Sequence, residues 1–107
     1  MTVNEVCERL ALTPLCGELS RTWDGVYAGD LLSRCMSRVE ADNLWITIMA
    51  NVNVIAVATL TDPAAIILAE DVEPSEDVIA AAKDNDIVLL RSNLTAYELC
   101  VRIHALT

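Results

Sequence analysis

Apolar positions along the chain fall into two kinds of run. Some recur at helical spacing; others are continuous, four or five residues long, and bounded by polar turns. The N-terminal Thr2-Val3-Asn4-Glu5 is a capping-box pattern, in which the threonine accepts from the helix and the glutamate reaches back. Val3, Val6, Cys7 and Leu10 follow at helical intervals, and Pro14 is expected to mark the end of that element. Leu15-Cys16 can form a short strand before a turn at Gly17, and residues 23–28 read as another strand. Asp30 is placed to cap the next helix, whose Leu32, Cys35, Met36 and Val39 recur at i, i+3, i+4 and i+7. The Arg34 and Arg38 side of that helix should face water.

Residues 43–60 read NLWITIMANVNVIAVATL, the most apolar stretch of the chain, interrupted by Asn51 and Asn53. A membrane helix needs about 20 predominantly apolar residues. Two amides in the middle of a shorter run argue instead for a strand that turns into a helix. Leu44-Trp45-Ile46-Thr47-Ile48 has the branched and aromatic content of a strand. Asparagine is among the strongest helix caps, because its side-chain oxygen accepts a free backbone N–H. The helix that follows is apolar nearly all round and is expected to be covered on most sides.

Asp62-Pro63 stops that helix, and residues 64–68 form a continuous apolar run of the kind buried on both faces. Ser75 is placed to cap a further helix, with Glu76 and Asp77 in its first turn and Lys83 in its last, matching the helix dipole. Residues 87–90 are the next buried strand. Thr95 and Glu98 then make a second capping box, with Leu94 and Leu99 as a hydrophobic staple. Strand–helix pairs thus succeed one another at 44–61, 65–84 and 87–106. That order predicts a single α/β domain over residues 1–107, with a mainly parallel sheet in two or three layers.

The totals narrow function mostly by exclusion. Net charge is −9, with one lysine and six dispersed arginines, and no window supplies the clustered basic surface that phosphate backbones require. Nucleic acid and membrane are therefore not expected partners. The cysteines Cys7, Cys16, Cys35 and Cys100 lack paired spacing, so no zinc, cluster or other cofactor is expected, and reduced thiols point to a cytoplasmic protein. The single histidine, His104, has no carboxylate at useful local spacing, and no glycine-rich phosphate loop is present. Glu70-Asp71 could hold a metal but reads better as a solvated loop. No catalytic residue is assigned.

What remains is geometric. Open α/β sheets bind ligands outside the carboxyl ends of their strands, where helix N-termini offer free N–H groups. That edge should carry Asp30, Thr47, Asn51, Asn53, Ser92 and Thr95, the candidate ligand-binding residues. The net charge of −9 points to a neutral or weakly anionic ligand there, because it disfavours highly charged anions at long range.

The order of V-Y-A-G-D-L-L-S (26–33), L-W-I-T-I (44–48), A-A-I-I-L-A-E (64–70) and L-T-A-Y-E-L (94–99) resembles the DRTGG domain, over nearly the whole chain. That family is similar in fold to the N-terminal domain of HPr kinase/phosphorylase. Its members occur as inserts in regulated pyrophosphatases and some phosphate acetyltransferases, where they look like regulatory, dimer-forming modules. Free-standing members stand beside genes for iron-only hydrogenases. The motif that names the family is not matched at Ala50-Asn51-Val52-Asn53-Val54, so the resemblance implies fold and module type and no phosphate site there. The expected function is a non-catalytic regulatory or small-ligand-sensing module, a homodimer, working alone or beside a redox enzyme such as a hydrogenase. The alternatives are a thiol-dependent enzyme using Cys16 or Cys35 with His104, and a structural assembly adaptor.

Overall fold

Each strand of the sheet is a short apolar run whose alternate side chains enter two separate cores. The computed structural model describes residues 1–107. Helix α1 (Val3–Leu10) is followed by β1 (Thr13–Cys16), β2 (Gly25–Ala28), α2 (Leu32–Arg38), β3 (Asn43–Thr47) and α3 (Val52–Thr61). The chain then continues through β4 (Ala65–Leu68), α4 (Glu76–Asp84), β5 (Leu89–Arg91) and α5 (Ala96–Ala105). The sheet order is β1-β5-β4-β3-β2, parallel throughout except for the antiparallel edge pair β1·β5. This is the mainly parallel sheet that the sequence predicts, and it lies in the middle of three layers.

Leu44, Ile46, Ala65, Ile67, Val88 and Leu90 point to one face, where α1 and α5 cover them with Val3, Val6, Leu10, Leu99 and Ile103. Trp45, Ile66, Leu68 and Leu89 point to the other, under Cys35 of α2 and Val39 just after it, Val54, Ile55, Val57 and Ala58 of α3, and Val78 and Ala82 of α4. Residues of β3 and β4 are buried at every position. Double-sided burial is what a continuous apolar run encodes.

Both capping boxes form as read. Thr2 Oγ1 accepts from Glu5 N at 3.2 Å while Glu5 Oε1 accepts from Thr2 N at 3.1 Å, and Thr95 and Glu98 repeat the arrangement at 3.1 and 3.0 Å.

Several local expectations give way to tertiary structure. Pro14 does not end the first helix: Ala11, left-handed at φ 53°, does so, and Pro14 lies inside β1. An edge strand tolerates proline, and the register slips between Pro14 and Cys16 in a bulge. After it Gly17 turns at φ +99°, where a β-carbon would stand 2.7 Å from the Val88 α-carbon. Asp30 is not the cap of α2. Leu31 occupies that position without a side-chain bond, because the Asp30 carboxylate is drawn toward β3. Ser75 does begin α4, but its hydroxyl caps nothing; its carbonyl accepts from Val78 N and Ile79 N. Met36 is exposed, and α3 leaves Val52 and Leu60 in solvent at 51% and 72% exposure, so that helix is covered on one side only.

Candidate ligand edge

The carboxyl ends of the parallel strands carry all six residues singled out from the sequence, but the fold divides them into two groups. The first lies beyond β2 and β3. Thr47, 1% exposed, donates its hydroxyl to Asp30 Oδ1 at 2.8 Å, and the same oxygen accepts from Ile48 N at 2.9 Å. Thr47 Oγ1 in turn accepts from Met49 N at 3.1 Å. Asn51 is the cap of α3: its Oδ1 accepts from Asn53 N at 2.9 Å and from Val54 N at 3.3 Å. Asn53 sits in the first turn of the helix, exposed, with its amide directed to no protein partner. Polar side chains here are largely bonded to one another and to local backbone, and they line no cavity.

The second group lies beyond β4 and β5, and here there is a cleft. Glu70 and Asp71 are consecutive left-handed residues, at φ 58° and 59°. Backbone bonds from Glu70 N to Leu94 O at 2.8 Å and from Asp71 N to Ser92 O at 2.7 Å hold this turn against the end of β5. Ser92, 6% exposed, accepts from Leu94 N at 3.0 Å, and Thr95 is occupied as the cap of α5. Ser92, Asn93, Asp71, Arg91, Arg102 and Thr13 are the polar groups lining an open cleft of about 500 Å³, closed at one side by Leu10 and Ala11. Arg91 Nη2 contacts Asp71 twice, its carboxylate at 3.0 Å and its carbonyl at 3.1 Å. The Arg91 Nε is buried without an acceptor, and Arg102 forms no ion pair.

Sequence reading placed Ser92 at this edge, took Glu70-Asp71 for a solvated loop and missed both arginines. The available signal was Arg91-Ser92-Asn93 directly after an apolar strand. The contribution of Arg102 depends on how α5 folds back past α1, and no local pattern reports that.

A larger and mostly apolar groove, about 720 Å³, runs between α5 and the outer strand β2, bordered by Trp23, Val26, Tyr97, Cys100, Val101 and His104. Tyr97 is 78% exposed there, and β2 has no strand on its outer side. Of the other aromatics, Trp45 is fully buried and Trp23 nearly so within the one chain.

The thiols are unlike a nucleophile's. Burial raises the pKa of Cys7, Cys16, Cys35 and Cys100 above the ordinary thiol value. Cys35 packs in the core covered by α2, α3 and α4, and Cys16 packs against it, whereas His104 is carried by α5 on the opposite face of the sheet. The structure does not bring either thiol to the histidine. Cys100 and His104 do share the apolar groove, but no hydrogen bond joins them. No group of three or more His, Cys, Asp or Glu side chains is arranged to hold a metal ion, and no helix is long and apolar enough to cross a membrane.

A family model described as "HPr Serine kinase N terminus" matches residues 50–106, just over half of the chain. Among solved structures, the CBS and DRTGG domains of the regulatory region of Clostridium perfringens pyrophosphatase, complexed with the activator diadenosine tetraphosphate, are similar at a TM-score of 0.75. That likeness covers 95% of this chain and 45% of that chain, at 12% identity. The chain therefore spans less than half the length of the pyrophosphatase fragment, and at this identity the likeness is one of fold. No curated protein sequence matches it.

Proposed function

The chain belongs to the family described as the HPr serine kinase N terminus, and from that premise we propose that it is a regulatory, small-ligand-sensing module with no catalytic residues of its own. All 107 residues form one DRTGG-like unit in this reading. The observation that carries it is the cleft at the carboxyl ends of β4 and β5, where polar side chains without full protein partnership converge. Parallel sheets present ligands at that edge for a physical reason: strand ends and helix starts leave backbone donors free there. The similar domain in the pyrophosphatase belongs to a regulatory region crystallised with an activator, which supports the regulatory sense.

Within the proposed ligand edge the roles differ. Ser92 touches the ligand in the cleft. Asp30, Thr47, Asn51 and Thr95 hold the shape of the edge through bonds already made, and Asn53 offers the one uncommitted amide of the set. Raised thiol pKa values favour this reading over a thiol-dependent enzyme.

The module works as a homodimer, alone or beside a redox enzyme of the kind its free-standing relatives accompany. The open β2 edge and the exposed Val26, Tyr97 and Val101 supply the apolar face such association needs. An adaptor role draws on the same face and differs in binding no metabolite.

A thermal-shift screen of metabolites tests the sensing function, since a ligand at 100 times its Kd adds about 2.7 kcal/mol to stability. Hits that perturb Ser92 and Asn93 support it, and a screen without hits leaves the adaptor. Sedimentation equilibrium at tens of micromolar tests the dimer; a single species near 11.6 kDa removes it.

A further inference from the structure

We propose that the cleft between Arg91 and Arg102 takes the phosphoryl group of a small phosphate monoester, an inference that rests on the ligand-sensing reading above. The chain has six arginines in a total charge of −9, so two of them on one cleft is a local reversal of the overall sign. Arg21 is consumed elsewhere, by Asp42 at 2.7 Å and Asp62 at 2.9 Å. Arg9, Arg34 and Arg38 lie on exposed helix surfaces. Arg102 has no ion pair, and Arg91 uses only Nη2, leaving Nε enclosed without an acceptor. A buried donor in that state is costly, and an incoming oxygen relieves the cost once the guanidinium turns toward it.

The remaining groups select among anions. A carboxylate offers two oxygens and is satisfied by one guanidinium fork. Here two guanidinium groups, the hydroxyls of Thr13 and Ser92 and the amide of Asn93 line the same cleft. That is more donor capacity than a carboxylate accepts and suits the three terminal oxygens of a phosphoryl group. A volume of about 500 Å³ lies within the ~300–1,000 Å³ range of small-molecule sites, which leaves room for the esterified part.

Charge at long range opposes any anion, but salt screens it over about 8 Å at physiological ionic strength. Among the residues lining the cleft two cations face one carboxylate, Asp71, with Glu98 near Arg102 on α5. The phosphoryl group competes with Asp71 for Arg91. Asp71 belongs to the left-handed turn that ties β4 to β5, so binding acts directly on that turn, which is the property a sensor requires.

The test is an amide NMR titration of the full chain with glycerol 3-phosphate, inorganic phosphate and glycerol at matched ionic strength. It is run on the native sequence and on Arg102→Gln, which is exposed and breaks no bond in the free protein. Glycerol 3-phosphate should shift Thr13, Asp71, Ser92 and Asn93, and Arg102→Gln should weaken it at least tenfold with its melting temperature unchanged. Inorganic phosphate should bind the same residues at least tenfold more weakly than the ester; equal affinity assigns the site to free phosphate and overturns the monoester. Glycerol shifting those amides as strongly overturns the anionic class and leaves ligand sensing intact. No shift in the cleft, or native affinity in Arg102→Gln, overturns the inference outright, and the metabolite screen then judges the sensing function by itself.

Discussion

Replacing Asn51 and Asn53 singly by alanine separates two residues that look equivalent in sequence. Asn51 Oδ1 accepts from two of the free N–H groups at the start of α3, at 2.9 and 3.3 Å. Asn51→Ala leaves both without that acceptor, and such caps are worth about 1 kcal/mol, within a range of roughly 0.5–2. Asn53 occupies the first turn, exposed, with no side-chain bond to lose. Alanine has the higher helix propensity, so Asn53→Ala should fall within about 0.5 kcal/mol of the native protein. For a domain near this size, 1 kcal/mol corresponds to a melting shift of about 4–8 °C.

Urea unfolding followed by circular dichroism resolves the difference, provided the slope m is unchanged between variants. Asn51→Asp serves as the rescue: it keeps a capping oxygen and adds a negative charge at the positive end of the helix. Equal losses at the two positions, or an Asn51→Asp protein as unstable as Asn51→Ala, would refute the assignment of the cap. Affinity for a ligand from the screen that survives both alanine changes within twofold assigns the amides to helix initiation alone.

Three further outcomes are expected. Asp30→Ala removes the acceptor of the buried Thr47 hydroxyl and of Ile48 N and should cost about 1–3 kcal/mol; Asp30→Ala combined with Thr47→Val should cost less than the two separate losses added, because the Thr47 hydroxyl is then no longer left without its acceptor, and additive losses would contradict the geometry. All four native thiols should react with a disulfide reagent at neutral pH more slowly than free cysteine, since burial raises each pKa; one fast thiol restores the enzyme reading. The Glu98 carboxyl is held below its ordinary value of 4.5 by the Thr95 backbone and hydroxyl, so its contribution is present at neutral pH and disappears as pH falls through the lowered folded value. The stability gap between the native protein and Glu98→Gln should therefore close on acidification, and a gap independent of pH argues against the capping charge.

Which features were legible follows from how far away each partner lies. Thr2 and Thr95 find their glutamates three residues on, and Asn51 finds its N–H groups two and three residues on. A short window contains both halves of each interaction. The runs at 44–48 and 64–68 declare strands of the sheet, and their residues are buried except Ile48, which lies past the end of β3 and is exposed. Asp30 was misread because its partner is 17 residues away, across the sheet. Arg21 carries no sequence signal at all, yet it joins two left-handed aspartates 21 and 41 residues distant, Asp42 at φ 66° and Asp62 at φ 59°. Its role is to tie loops at the amino ends of β3 and β4, opposite the ligand edge.

The same logic explains why the site itself was read only in part. Residues that announce a helix start, such as Asn51 and Thr95, do so because their oxygens satisfy nearby backbone donors. Where they succeed, that capacity is committed before a ligand arrives. A binding group must instead retain unpaired donors, and nothing within a few residues of it records their being free. Arg91 and Arg102 become neighbours only because β5 sits beside β4 and β1, and because α5 returns along the face that α1 also covers. Strand order is set by long-range packing, which hydrophobic periodicity does not encode. A local reading of an α/β sheet edge therefore selects the residues that build it, and the groups left free to bind emerge with the tertiary fold.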